Sequence, residues 1–171
     1  MAKTALLVME MQTDYFRDRR IAKFTYDTEA LVGAVNAAID RYAAAGADII
    51  YLRQIYPDTT SNRIIFGFNI EGTEGAELWN GLHIASAHIL DKNTADLFAD
   101  EKIRTFFEAQ GYTEYVLCGL DECGPVAATA LGAKKSGADV KILRDAVGTR
   151  FDTRKKGETR AKMKINNIEY I

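Results

Sequence analysis

Histidine is nearly missing from this chain of 171 residues, which holds two, and cysteine is equally scarce. The two thiols, Cys118 and Cys123, stand too close together in an alternating strand and helix pattern to suggest the disulfide framework of a secreted protein. No apolar run approaches the ~20 residues that a membrane span needs. The start Met1-Ala2-Lys3-Thr4 leads into a strand and lacks the pattern of a signal peptide. Excess charge is also lacking: 22 Lys and Arg stand against 24 Asp and Glu, for a formal net charge of −2. That balance gives no electrostatic case for nucleic acid or an anionic membrane as partner. These absences point to a cytoplasmic protein. No internal repeat and no linker divides the sequence. A composition of 47% hydrophobic and 27% charged residues is ordinary for a globular protein, so residues 1–171 are read as a single domain.

The apolar pattern alternates between two periods. Thr4-Ala5-Leu6-Leu7-Val8-Met9 is a continuous apolar run of the kind found in strands buried on both faces. Asp48-Ile49-Ile50-Tyr51-Leu52, Ala87-His88-Ile89-Leu90, Tyr115-Val116-Leu117-Cys118 and Asp139-Val140-Lys141-Ile142-Leu143 read the same way. Between them Leu31, Val32, Val35, Ile39 and Tyr42 recur at helical spacing, with Gly46 placed to end that helix. Further helices are expected over Lys102–Gln110, Gly124–Ser136 and Arg154–Lys164. The stretch Asp58–Gly75 is rich in Thr, Ser, Asn and Gly and reads as a long loop, with a strand-like piece at Ile64-Ile65-Phe66. Strands alternating with helices predict an α/β protein, a mostly parallel sheet covered on both faces in three α-β-α layers. In such a Rossmann-like fold the site lies at the carboxyl ends of the strands.

The residues at those ends carry the chemistry. The first strand runs into Glu10, the second into Arg53-Gln54, the third into Asp91-Lys92, and the fourth into the corner Gly119-Leu120-Asp121-Glu122-Cys123. A carboxylate can accept a thiol proton, an ammonium favours thiolate, and a corner N–H can hold an oxyanion. A thiol at a strand-to-helix corner also faces the positive end of a helix dipole. Cys118, inside a strand, reads as core. The basic run from Arg150 to Lys164 reads as a solvated face or a subunit contact.

At this point the chain resembles a family. Ala5-Leu6-Leu7-Val8-Met9-Glu10-Met11-Gln12-Thr13-Asp14-Tyr15-Phe16 looks like the opening motif of the isochorismatase-like cysteine hydrolases, related to nicotinamidases and N-carbamoylsarcosine amidohydrolases. Glu71-Gly72-Thr73-Glu74-Gly75-Ala76-Glu77-Leu78, the segment after Lys92, and Gly119 to Cys123 with Thr129-Ala130, Gly137 and Asp145-Ala146 are similar to its later elements, in the right order. The resemblance implies an isochorismatase-type fold and a carboxylate–lysine–cysteine triad, which falls on Glu10, Lys92 and Cys123. It implies hydrolysis of a small amide or related acyl compound through an acyl-enzyme at Cys123. The oxyanion would rest on the Cys123 N–H and one near Asp121, beside a cis peptide at Leu120–Asp121. Gln54, Tyr15, Leu120, Asp121 and Glu122 are the candidates for touching the substrate. A homo-oligomer, dimer or tetramer, follows from the resemblance alone.

Three departures matter. The family carries Asp where this chain has Glu10, and the extra methylene moves the carboxylate by about 1.5 Å, a misplacement of the size that costs about 100-fold in rate. A retuned enzyme, a slow one, and a catalytically impaired relative that binds a small ligand or acts as an oligomeric scaffold all stay open. Gly124-Pro125 replaces the usual small apolar residue after the cysteine, which the first turn of a helix tolerates. The nicotinamidase branch binds metal through a histidine-bearing segment after the second strand, and here that segment reads Arg53-Gln54-Ile55-Tyr56-Pro57. Neither His83 nor His88 sits there, so no metal and no other cofactor is expected.

Overall fold

The computed structural model describes residues 3–171. Strand β1 (Thr4–Met9) is buried from Ala5 to Met9, as its unbroken apolar run requires. It lies at the centre of six parallel strands in the order β3-β2-β1-β4-β5-β6. The others are β2 (Asp48–Gln54), β3 (Ile89–Lys92), β4 (Glu114–Gly119), β5 (Asp139–Val147) and β6 (Glu169–Tyr170). Five helices accompany them: α1 (Thr28–Ala44), α2 (Thr60–Ile65), α3 (Glu101–Gln110), α4 (Ala127–Lys135) and α5 (Thr153–Ile165).

The two-residue period of β1 sorts its side chains between two cores. Leu6 and Val8 pack with Leu31, Val35 and Ile39 of α1, while Leu7 and Met9 share a cluster with Ile103 and Phe107 of α3, Ala130 of α4 and Met163 of α5. Three layers result, α-β-α, as the alternating pattern predicts. Each fully buried Leu or Ile of the seam, such as Leu7, Leu52 and Leu117, contributes about 1.5–3 kcal/mol. Capping carboxylates start the helices: Asp27 accepts from Ala30 N, Asp100 from Ile103 N and Asp152 from Lys155 N.

Three segments differ from the sequence reading. Ile64-Ile65-Phe66 is not strand-like, because Thr59 caps a short helix there through Asn62 N. Ile64 and Ile65 are 79% and 70% exposed on α2, and only Phe66 finds a partner, stacking on Tyr56 with centroids 3.8 Å apart. The third strand is shifted toward the carboxyl end: Ile89–Lys92 pair with Tyr51–Gln54, so Lys92 is the last residue of β3 opposite Gln54. The helix after the β4 corner starts at Ala127 and not Gly124, since Glu122–Val126 forms a wider π turn with Gly124 in a non-helical conformation.

One glycine fixes the floor of the site. Gly119 ends β4 with φ +97°, and a Cβ there would overlap the Met9 carbonyl oxygen. The chain needs glycine because β1 and β4 approach this closely just where they diverge. Leu120 N then donates to Met9 O at 2.8 Å, and the expected cis peptide stands at Leu120–Asp121.

Candidate active site

The strand order reverses between β1 and β4, and a crevice opens at their carboxyl ends, the usual place for a ligand in an open parallel sheet. A cavity of about 300 Å³ fills it. Every strand from β1 to β5 feeds its rim or floor.

The floor comes from β1, β2 and β3. Glu10, the residue after β1, adopts φ +50° and is buried, its N–H donating to Leu52 O at 2.8 Å. Lys92 lies beneath it with a fully buried side chain and spends all three ammonium donors: Glu10 Oε1 at 2.5 Å, Gln54 Oε1 at 3.1 Å and Thr94 O at 3.0 Å. The other Glu10 oxygen, Oε2, accepts from the Tyr15 hydroxyl at 3.3 Å, and that hydroxyl accepts from Asn69 Nδ2 at 2.9 Å. Burial first, and the Glu10 charge second, hold the Tyr15 phenol well above its ordinary pKa, so it remains a proton donor. Burial and then Glu10 also raise Tyr56, and burial raises Tyr26.

Gln12 and Asn69 carry this arrangement, and the sequence reading gave neither a role. Gln12 is fully buried; its Nε2 donates to Gln54 O and Ala76 O, and its Oε1 accepts from Gln54 N. It thereby ties the end of β2 to the turn before Glu77. Asn69, also fully buried, occupies φ +53° inside a Thr/Ser/Asn/Gly-rich loop, where only its position beside an aromatic run hinted at a use. The walls above are aromatic: Tyr15, Phe24, Tyr26, Tyr56 and Phe68. Arg150, read from sequence as part of a solvated basic run, lines the cavity at the end of β5.

The structure brings together Glu10, Lys92, Gln54 and Tyr15, and it adds Leu120 and Asp121 to the lining. Cys123, the expected nucleophile, is half-buried at the corner that follows β4. At the corner Leu120, Asp121, Gly124 and Pro125, which flank Cys123 in the chain, line the cavity. Among the described residues no hydrogen bond joins the Cys123 sulfur to Glu10 or Lys92, whose polar atoms bond to Tyr15, Gln54, Thr94 and each other. The corner itself is a wide π turn over Glu122–Val126, with Gly124 in a non-helical conformation.

The expected oxyanion donor is also spent. Cys123 N donates to Asp121 Oδ1 at 2.9 Å, while Glu122 N donates to Gly148 O, and Gly124 N and Val126 N to Asp121 O. Asp121 N is the amide of this corner without an internal partner among the described residues. Glu122 departs from its expected substrate role as well. Buried and held by Arg160 Nε at 2.6 Å and Nη2 at 3.3 Å, it anchors the corner to α5.

The residues do not fit a metal ion. Arg53 pairs with Asp91 and Glu77, Gln54 serves Lys92, and His83 is exposed beside Asp40 with 3.0 Å between Nδ1 and Oδ1. Among the described residues no three His, Cys, Asp or Glu side chains cluster to hold one.

Known proteins place this geometry in context. An uncharacterized isochorismatase family protein of Bacillus subtilis, YddQ, is 26% identical over 149 residues, covering 85% of this chain and 78% of its own. A zinc-bound pyrazinamidase of Pyrococcus horikoshii superposes with a TM-score of 0.84 at 25% identity, covering 99% of this chain and 98% of its own. The N-carbamoylsarcosine amidase of Thermoplasma acidophilum gives a TM-score of 0.80 at 24% identity, with 98% and 95% covered. The family description "Isochorismatase domain" matches residues 4–166, nearly the whole sheet and its helices, and on that match the chain belongs to the isochorismatase domain family.

Proposed function

We propose that this chain, acting as one domain over residues 1–171, hydrolyses a small, flat acyl compound by water attack rather than through Cys123. The observation that carries this reading is the buried Glu10–Lys92 pair beneath an aromatic cavity, with no hydrogen bond from either to the Cys123 sulfur among the described residues. Family membership and the likeness to a pyrazinamidase support a hydrolase of small amides. A substrate carbonyl fits against the free Asp121 N–H, with its ring between Phe24, Tyr26, Tyr56 and Phe68. Glu10 takes a proton from a water molecule while the water oxygen bonds to the carbonyl carbon. The tetrahedral oxyanion rests on Asp121 N–H, the C–N bond then breaks, and the leaving amine takes the proton back from Glu10. Lys92 holds the carboxylate in place through these transfers.

A second reading, binding without turnover, is favoured by one observation: both Glu10 oxygens are already engaged, by Lys92 and Tyr15. Ammonia release from pyrazinamide and benzamide separates the readings. Turnover that survives Cys123→Ala and is lost in Glu10→Gln supports water attack. Loss of turnover in Cys123→Ala restores the thiol mechanism, and saturable binding with no turnover leaves the binding reading. Localisation in the cytoplasm and assembly into a homo-oligomer belong to the same proposal. Among the described residues no helix is long and apolar enough to cross a membrane.

A further inference from the structure

The cavity has a charged lip that the chemistry at its floor does not use. Arg150 follows β5 and lines the opening, and its guanidinium makes no hydrogen bond among the described residues. The nearest acid is Asp121, with Arg150 Nε 3.9 Å from Oδ2. That carboxylate is already satisfied: Oδ2 accepts the Arg150 backbone N–H at 3.0 Å, and Oδ1 accepts Thr149 Oγ1 at 2.6 Å and Cys123 N at 2.9 Å. The guanidinium instead rests on the Phe151 ring, 5.1 Å from its centroid. Its charge reaches two walls of the cavity, lowering the phenol pKa of both Tyr26 and Tyr56 against the larger effect of burial. Tyr56 adds a second free donor. Its hydroxyl has no hydrogen-bond partner among the described residues, whereas that of Tyr26 donates to Tyr15 O.

Two other cations stand against the aromatic walls: Lys23 Nζ lies 5.7 and 5.5 Å from the Phe24 and Phe68 ring centroids, and the Arg20 guanidinium lies 5.9 Å from that of Tyr26 while its Nε donates to Phe24 O. Glu10 is neutralised by Lys92 at the floor, and Asp121 is held by the corner and by the backbone of Thr149–Arg150. What remains is a planar fork of donors and a phenol above an aromatic slot. A guanidinium fork matches the two oxygens of a carboxylate, and a charge-assisted pair at a partly dry site is about twice as strong as a neutral hydrogen bond.

We propose that Arg150 and Tyr56 form a carboxylate subsite, so that the ligand of this cavity is a small planar acid whose anionic end sits at the lip and whose acyl group sits over Glu10. The assignment rests on the reading of the cavity as the substrate site and adds the substrate's charge to it. A neutral carboxamide fills the same slot but leaves the fork unpaired.

Calorimetric titration with benzoate and with benzamide, at low salt and pH 7, tests it. The wild-type chain binds benzoate about 10-fold more tightly than benzamide or better, as expected for a charge-assisted pair. Arg150→Gln brings that ratio close to one, Arg150→Lys retains part of it, and Tyr56→Phe lowers it severalfold. Thermal melting of each variant confirms that it is folded, and Arg150→Lys keeps the test decisive if Arg150→Gln is not. Equal binding of the two ligands by the wild type, or an unchanged ratio in both Arg150 variants, overturns the subsite while leaving the cavity reading intact. Binding of neither ligand overturns the cavity reading and the subsite with it.

Discussion

Removing Lys92 tests the floor of the site most directly. Its ammonium is the counter-ion of Glu10 at 2.5 Å, and the two side chains are 0% and 5% exposed. Lys92→Met keeps the bulk of the stem but strands a carboxylate that then has only the 3.3 Å contact from Tyr15. Gln54 Oε1 and Thr94 O lose their donor as well. Breaking a buried ion pair on one side costs about 3–5 kcal/mol. For a domain of this size that corresponds to a fall in melting temperature of about 6–20 °C. Urea unfolding should show the midpoint falling with little change in slope. The cause is the lone charge and not a lost shape, so Glu10→Gln in the Lys92→Met background should recover much of the loss. The double-mutant cycle should give a coupling of about 2–3 kcal/mol. A cost below about 1 kcal/mol for Lys92→Met, or effects of the two substitutions that simply add, would refute a tightly coupled pair.

Three other outcomes follow from separate parts of the fold. Lys141 Nζ at 2.5 Å, with help from Thr4, holds the Glu114 carboxyl below its ordinary value of 4.5, so its contribution is present above that pH and fades as pH falls below it. Glu114→Gln should therefore cost about 0.2–1 kcal/mol at pH 7 and progressively less as the pH falls below 4.5, a difference that a pair of denaturation series resolves. Iodoacetamide at pH 8 should label the native chain once, at half-buried Cys123, because burial pushes the Cys118 thiol up to about 12; two labels per native chain would contradict this. Gly119→Ala should destabilise by at least about 2 kcal/mol through its left-handed backbone and the Met9 carbonyl, whereas Gly157→Ala, in open space within α5, should stabilise by about 0.5–1 kcal/mol; equal melting shifts would undo the argument.

Much of the frame was legible because buried parallel strands leave a plain mark. The runs at Leu6-Leu7-Val8, Ile49-Ile50-Tyr51 and Val116-Leu117-Cys118 needed no context to be read as strands, and their ends put Glu10, Gln54 and the Gly119 corner on one edge. The corner after β4 was legible as a place but not as an orientation. The wide turn over Glu122–Val126 depends on the backbone angles at Gly124, and composition does not encode those. Arg150 was hidden by its company, a basic stretch that elsewhere forms the exposed face of α5. Its signal was positional, three residues past the strand whose end completes the edge. Gln12 looked like one polar residue in a motif, and only the packing of β2 against the Glu74–Ala76 turn gives its amide three backbone partners.

Asp121 links the two walls of the opening. Its carboxylate grips the β4 corner through Cys123 N and the chain after β5 through Thr149 and Arg150 N, while its own amide has no internal partner among the described residues. This side chain acts as a cross-brace on the mouth, beside the backbone bonds from Glu122 N to Gly148 O and from Gly148 N to Gly119 O. Exchanging the Arg150 head group alters what the mouth attracts and leaves its gape alone. Exchanging Asp121 moves both walls and the amide together, so selectivity and aperture are tuned at different positions in this fold.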